Sequence, residues 1–186
     1  MKYLIAGLGN IGAEYKNTRH NIGFQILDAL AGASNILFSD KRYGFVGEYK
    51  FKARNLILLK PSTYMNLSGK AVAYWLNELK IPKENLLVVV DDIALPFGSL
   101  RLRTKGSSAG HNGLKDIEQS LGGQDYSRLR VGIGGEFAKG QQVDYVLSNF
   151  SKDEFEKMPS IISKANEMIV SYCLAGPAIT MSQFND

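Results

Sequence analysis

Short apolar runs alternate with stretches of helical periodicity along this chain. YLIAG (Tyr3–Gly7) and NLILLK (Asn55–Lys60) read as buried strands. LLVVVD (Leu86–Asp91) is β-branched and apolar on both faces, the pattern of a central strand in a parallel sheet. GFVGEYKF (Gly44–Phe51) reads as a more exposed strand, and SLRLR and RLRVGIG as two further ones. Between them, Ile22, Ile26, Leu27 and Leu30 share one helical face. A second helix through Val72, Leu76 and Leu79 stops before Pro82, because proline disfavours helical geometry in its predecessor. GLKDIEQSL predicts a third, with Asn112 as its N-cap. Helices then follow from about residue 152. Ser151 and Glu154 have capping-box spacing, and Phe155, Met158, Ile162, Ala165, Ile169 and Tyr172 form an apolar stripe. Pro159 is expected to split this stripe into two helices, and Gly176-Pro177 to end it. The alternation predicts an α/β fold: a single domain with a mixed, largely parallel twisted sheet and helices on both faces.

Composition narrows the class. At 186 residues the chain suits one domain with a sizeable core, and 45% hydrophobic with 22% charged residues are ordinary globular values. Its longest apolar runs are too short to cross a bilayer, and Lys2 precedes only YLIA before glycines break the run. A cytoplasmic protein without a membrane partner is expected. The single cysteine, Cys173, excludes an internal disulfide and a Cys-rich zinc site, and its helical apolar setting suggests packing. A net charge of +4 barely favours a nucleic-acid partner, but its distribution is informative. RLRTK (Arg101–Lys105) and RLR (Arg128–Arg130) alternate basic and apolar residues, as a half-buried strand presenting charge on one face would. A solvated face and a phosphate-contacting patch both fit that pattern.

The stretch GLGNIGAEYKNTRHN carries Gly7, Gly9 and Gly12 in the G-x-G-x-x-G spacing of dinucleotide-binding loops. The context fails that reading. A helix should begin at the third glycine, yet AEYKNTRH offers no apolar helical face, and neither Asp28 nor Asp40 closes a second strand. What remains is a strand ending in a polar loop, and ligands of open parallel sheets gather beyond the carboxyl ends of strands. Three predicted strands end there: one leads to Asn10 and His20, one to Tyr64 and Asn66, one to Asp91 and Asp92. An imidazole can take a proton from water, a neighbouring carboxylate can fix its tautomer, and asparagine amides can stabilise an oxyanion. Together they suit hydrolysis by activated water. No G-x-S-x-G elbow is present. The two histidines and adjacent acids lack zinc-ligand spacing, and neighbouring side chains at a strand end diverge, so no metal is expected. His111, beside a helix start, is as open to a structural role as to a chemical one. The residues alone also leave open a non-catalytic RNA-binding module and a nucleotide-cofactor enzyme.

GNIGAEYKNTRHNIG, KPSTYMNLSGKAV, VVVDDIALPFG, GSSAGHNGLKDI and RLRVGIG, in this order from Tyr3 to about Phe150, closely resemble the bacterial peptidyl-tRNA hydrolase family. The resemblance implies one catalytic domain over 1–186 that cleaves the ester between a peptide and the 3′ end of tRNA. It also implies that no cofactor is needed and that the protein acts as a monomer. By the same resemblance His20 is the base that activates water, Asp91 the carboxylate that holds it, and Asn10 the contact to the peptide. Tyr15, Tyr64, Asn66 and Asn112 match positions lining the crevice for the peptide and the tRNA 3′ end. Arg101, Arg103 and Arg130 match basic positions near the acceptor stem. Three places depart from the family's usual residues. Ile11 stands where proline is usual, Ala94 where a second acid is common, and KGSSAG is poorer in glycine.

Overall fold

The computed structural model describes residues 1–185. One seven-stranded sheet in the order β2-β3-β4-β1-β5-β7-β6 organises the chain. Its strands are β1 (Lys2–Gly7), β2 (Ser39–Lys41), β3 (Gly44–Phe51), β4 (Arg54–Pro61), β5 (Leu86–Asp92), β6 (Leu100–Arg103) and β7 (Ser127–Gly132). The central strands β4, β1, β5 and β7 run parallel, while β2, β3 and β6 add antiparallel edges. All seven residues of β5 are buried, as its unbroken apolar run requires. The six helices are α1 (Ile22–Ala33), α2 (Ser68–Glu78), α3 (Asn112–Leu121), α4 (Gln142–Val146), α5 (Lys152–Ala175) and α6 (Pro177–Phe184).

Side chains of the central strands alternate between two cores. Ile5, Leu58, Leu87, Val89 and Leu129 meet Ile26 and Leu27 of α1 and Met168 and Ile169 of α5. Leu4, Ala6, Leu59, Val88 and Val90 meet Val72 and Leu76 of α2 and Leu114 and Ile117 of α3. Burying each such side chain contributes roughly 1.5–3 kcal/mol against leaving it in water. Cys173 is buried in the first core, where desolvation pushes its thiol up to about 12; it packs and does not react.

Glycines bring α1 close to the sheet. A Cβ at Gly23 would lie 2.7 Å from the Val89 carbonyl oxygen, and one at Gly7 would strike the Gly23 carbonyl. Gly7 and Gly9 of the G-x-G-x-x-G therefore serve close packing against α1, whereas Gly12 supplies a φ of 113°. Gly12 precedes only a short 3-10 turn (Ala13–Tyr15), and α1 starts well past it.

Four expectations need correction. Helix α5 is continuous through Pro159, which is exposed on its solvent side, while Met158, Ala165, Ile169 and Tyr172 are buried on both sides of the proline. Phe155 leaves the apolar stripe and is 64% exposed. Asn112 is the first residue of α3, not its cap. His111 is the cap, its Nδ1 accepting from the Gly113 and Leu114 amides at 3.1 and 3.3 Å. Arg128 does not present charge to solvent, because the chain at Gly106 and at Gln124–Tyr126 covers its guanidinium. It is 2% exposed and donates to the carbonyls of Gly106, Gln124 and Tyr126.

Candidate active site

Strand β5 delivers Asp91 to the carboxyl edge of the sheet, level with Val131 of β7 and just beyond the end of β1. A 3-10 turn, Arg19–Asn21, precedes α1 and holds His20 above that edge. The His20 Nδ1 lies 2.8 Å from Asp91 Oδ2, and the His111 Nε2 lies 2.9 Å from Asp91 Oδ1. The imidazole centroids are 5.0 Å apart. One carboxylate, 4% exposed, thus joins both histidines of the chain.

Hydrogen-bond partners assign the tautomers. The His111 Nδ1 accepts two backbone amides, so it carries no proton and Nε2–H donates to Asp91. His20 donates Nδ1–H to the other carboxylate oxygen, which leaves its Nε2 lone pair uncommitted among the described residues. Burial alone would raise the Asp91 pKa. The charges and hydrogen bonds of His111 and His20 outweigh it and hold the carboxyl well below the usual range. Asp92 diverges as expected. Its Oδ1 accepts the Ala94 amide at 2.8 Å, and its Oδ2 meets Arg130 Nε at 2.5 Å.

Asn10 follows β1 and is 9% exposed. Its Oδ1 accepts the Met65 amide at 2.7 Å, which ties the loop after β1 to the loop after β4. The side chain of Asn21 accepts the Asn10 amide at 2.9 Å and donates to the Asn10 carbonyl at 2.8 Å. These bonds fix the loop at its Asn10 end, although Ile11 lacks the rigidity of proline. The Asn10 Nδ2 is left as a donor.

A pocket opens over this group, walled by His20, Asp91, Gly110, Asn112, Gln142 and Val143. Arg130 also reaches it, while Asn10, Tyr15, Tyr64, Asn66, Arg101 and Arg103 lie outside its wall, and Asn10 borders a separate pocket with Gly12, Lys16 and Phe24. Tyr15 is partly buried at the end of its 3-10 turn; Tyr64 and Asn66 are exposed on the β4 loop. Tyr64 has φ 63° and ψ 160°, a strained conformation for a residue with a side chain. Arg101 and Arg103 pair across the strands with Arg130 and Arg128, so all four arginines share one sheet face.

Several members of the group escape sequence reasoning. The contact of His111 to Asp91, the bracing by Asn21 and Met65, and the α4 wall all depend on long-range packing. The only local signal was the position of Asn21 directly after His20. Sequence spacing points away from a metal, yet the fold brings one ligand atom from each of His20, Asp91 and His111 within 4.8 Å of one another. These atoms face each other in hydrogen bonds, so an ion would have to displace both imidazole protons. No helix among the described residues is long and apolar enough to cross a membrane.

The sequence pattern of peptidyl-tRNA hydrolase matches residues 4–186. A peptidyl-tRNA hydrolase of Phocaeicola vulgatus is 61% identical over 185 residues, covering 100% of this chain and 99% of its own length. One from Clostridium botulinum is 45% identical over 98% of this chain and 96% of its own. The crystal structure of peptidyl-tRNA hydrolase from Acinetobacter baumannii superposes with a TM-score of 0.93 at 34% identity, covering 98% of this chain and 94% of that one. The chain belongs to the peptidyl-tRNA hydrolase family.

Proposed function

We propose that this chain hydrolyses the ester joining a peptide to the 3′ end of tRNA, returning free tRNA to translation, with His20 as general base. The observation that supports this most is the Asp91-bound His20 ring, which lines a pocket and whose Nε2 has no hydrogen-bond partner among the described residues. A water held there attacks the ester carbonyl carbon while Nε2 takes its proton, and Asp91 stabilises the imidazolium as it forms. The Asn112 side-chain amide, at the pocket wall, is the donor available to the oxyanion, while Asn10 contacts the peptide and Asn66 the crevice for the tRNA 3′ end. As the tetrahedral intermediate collapses, the ester C–O bond breaks and the imidazolium returns the proton to the ribose oxygen. The chemistry is complete without a cofactor.

Tyr15 and Tyr64 border the crevice for the peptide and the terminal nucleotide, where a ring can stack on a base. Arg101, Arg103 and Arg130, which share one sheet face, carry the contact to acceptor-stem phosphates. The enzyme acts as a monomer in the cytoplasm in this reading.

The test is His20→Ala. Its side chain is 12% exposed and belongs to neither apolar core, and Asp91 keeps its bond to His111, so the variant folds. Release of N-acetylated amino acid from tRNA falls by about a hundredfold to ten-thousandfold, the usual share of a positioned base. Turnover like that of the parent protein would end the assignment.

A further inference from the structure

Arg19 neighbours His20 in the same 3-10 turn, yet its side chain points away from the pocket and is nearly buried. Its guanidinium donates to Ser148 Oγ, to the Asn149 carbonyl at 2.7 Å and to Glu154 Oε1 at 2.8 Å. It also lies 4.3 Å from the ring centroid of Tyr145 and 5.6 Å from that of Phe150. The backbone repeats the attachment: the Arg19 amide donates to the Ser148 carbonyl at 3.0 Å, and Thr18 bridges Asn149.

Every one of these partners lies in the segment from α4 to the first turn of α5. Tyr145 belongs to α4, whose Gln142, Val143 and Val146 wall the pocket, and its hydroxyl donates to the Ile133 carbonyl beyond β7. Glu154 closes the capping box of α5, where its carboxylate also accepts the Ser151 amide. The turn bearing His20 is therefore held from two sides. Asn21 pins it to the Asn10 loop, and Arg19 pins it to the far wall of the pocket. Burying a cation costs desolvation that an apolar side chain would avoid, and only a well-formed fork of hydrogen bonds offsets it.

From this geometry we infer that Arg19 is the positioning residue of the base: it sets the alignment of His20 on Asp91 and couples it to the α4 wall. The inference rests on the reading of His20 as base. Displacing a reacting group by about 1 Å costs on the order of a hundredfold in rate, and that is the effect expected here.

The experiment compares Arg19→Met, Glu154→Gln and the double variant with the parent enzyme and with His20→Ala. Glutamine keeps the capping box but removes the charge that faces Arg19. The double variant leaves no buried charge unpaired, so it folds even where Arg19→Met alone does not. In the double variant kcat for N-acetylaminoacyl-tRNA is expected to fall about a hundredfold with KM nearly unchanged. The downfield Nδ1–H resonance of His20 should also broaden or shift, and Arg19→Lys should recover part of kcat. A merely structural ion pair would lower the melting temperature while leaving kcat and the resonance in place, and that result would overturn the inference. If His20→Ala is also as active as the parent, the assignment of the base fails instead.

Discussion

Replacing Asp91 by asparagine changes one atom's chemistry and almost no volume, so its consequences follow from hydrogen bonding alone. Asp91 accepts two imidazole N–H groups, from His20 at 2.8 Å and His111 at 2.9 Å. An asparagine offers one acceptor and one donor. His111 cannot adapt, because its Nδ1 is engaged by the Gly113 and Leu114 amides and its Nε2 must stay protonated. The asparagine oxygen therefore turns to His111 and its amide to His20. The His20 Nδ1 must then accept, its proton moves to Nε2, and the only lone pair available for water is gone. The imidazolium also loses its carboxylate. A base in the wrong tautomer costs about ten-thousandfold in kcat, roughly 5 kcal/mol of barrier. Stability also falls, because the charge-assisted hydrogen bonds that are lost, about 1.5–3 kcal/mol each, outweigh the cost of burying the charge. Single-turnover release of N-acetylamino acid from tRNA measures the first quantity, and urea unfolding the second. A folded Asp91→Asn protein within tenfold of the parent rate, as an order of magnitude, would refute the tautomer argument.

Acid should weaken the fold through the same carboxylate. Its folded pKa lies below the unfolded value because both histidines outweigh its burial, so its contribution is complete above about 3.9 and lost as pH falls through the folded pKa. The stability gap between the parent and Asp91→Asn should close in strong acid during urea unfolding; a gap that persists there contradicts the linkage. For the basic face, Arg101→Ala with Arg103→Ala should weaken tRNA binding and reduce the slope of log K against log salt by about 0.7–0.9 for each phosphate no longer neutralised. An unchanged slope rejects the patch. Arg128→Met strands the carbonyls of Gly106, Gln124 and Tyr126, and should cost on the order of 3 kcal/mol in urea unfolding. Parental stability in that variant would show that the carbonyls find other partners.

The central strands were readable because a strand buried on both faces needs an unbroken apolar run, and β1, β4 and β5 carry them at Tyr3–Ala6, Leu56–Leu59 and Leu86–Val90. Their carboxyl ends then pointed to His20, Asn10 and Asp91 without any contact being known. Short or solvent-facing elements carry no such signal: β2 is three exposed residues, and α4 barely exceeds one turn. Arg128 misled because alternation reports an apolar face but not what covers the other. That depends on where the chain at Gly106 and Gln124–Tyr126 passes over the strand. Pro159 misled because a lost amide bond was weighed without the buried stripe on either side of it. The bracing of His20 was illegible for a different reason. Arg19 and Glu154 are far apart in sequence and meet only after the sheet has formed.

The two histidines show most clearly what the fold adds. As residue types in polar loops they are interchangeable, and either could serve as a base. Both bind the same carboxylate, so proximity to Asp91 does not separate them. What separates them is the start of α3. Unpaired amides at a helix N-terminus need an acceptor, and the His111 Nδ1 supplies it for two of them. That bond fixes Nε2 as a donor and occupies both ring nitrogens. His20 has no helix to cap, since no side chain caps its turn and α1 begins two residues later. Its second nitrogen has no hydrogen-bond partner among the described residues, and the ring lines the pocket. Local backbone satisfaction at one histidine thus selects the other for chemistry, with Asp91 holding both in complementary roles.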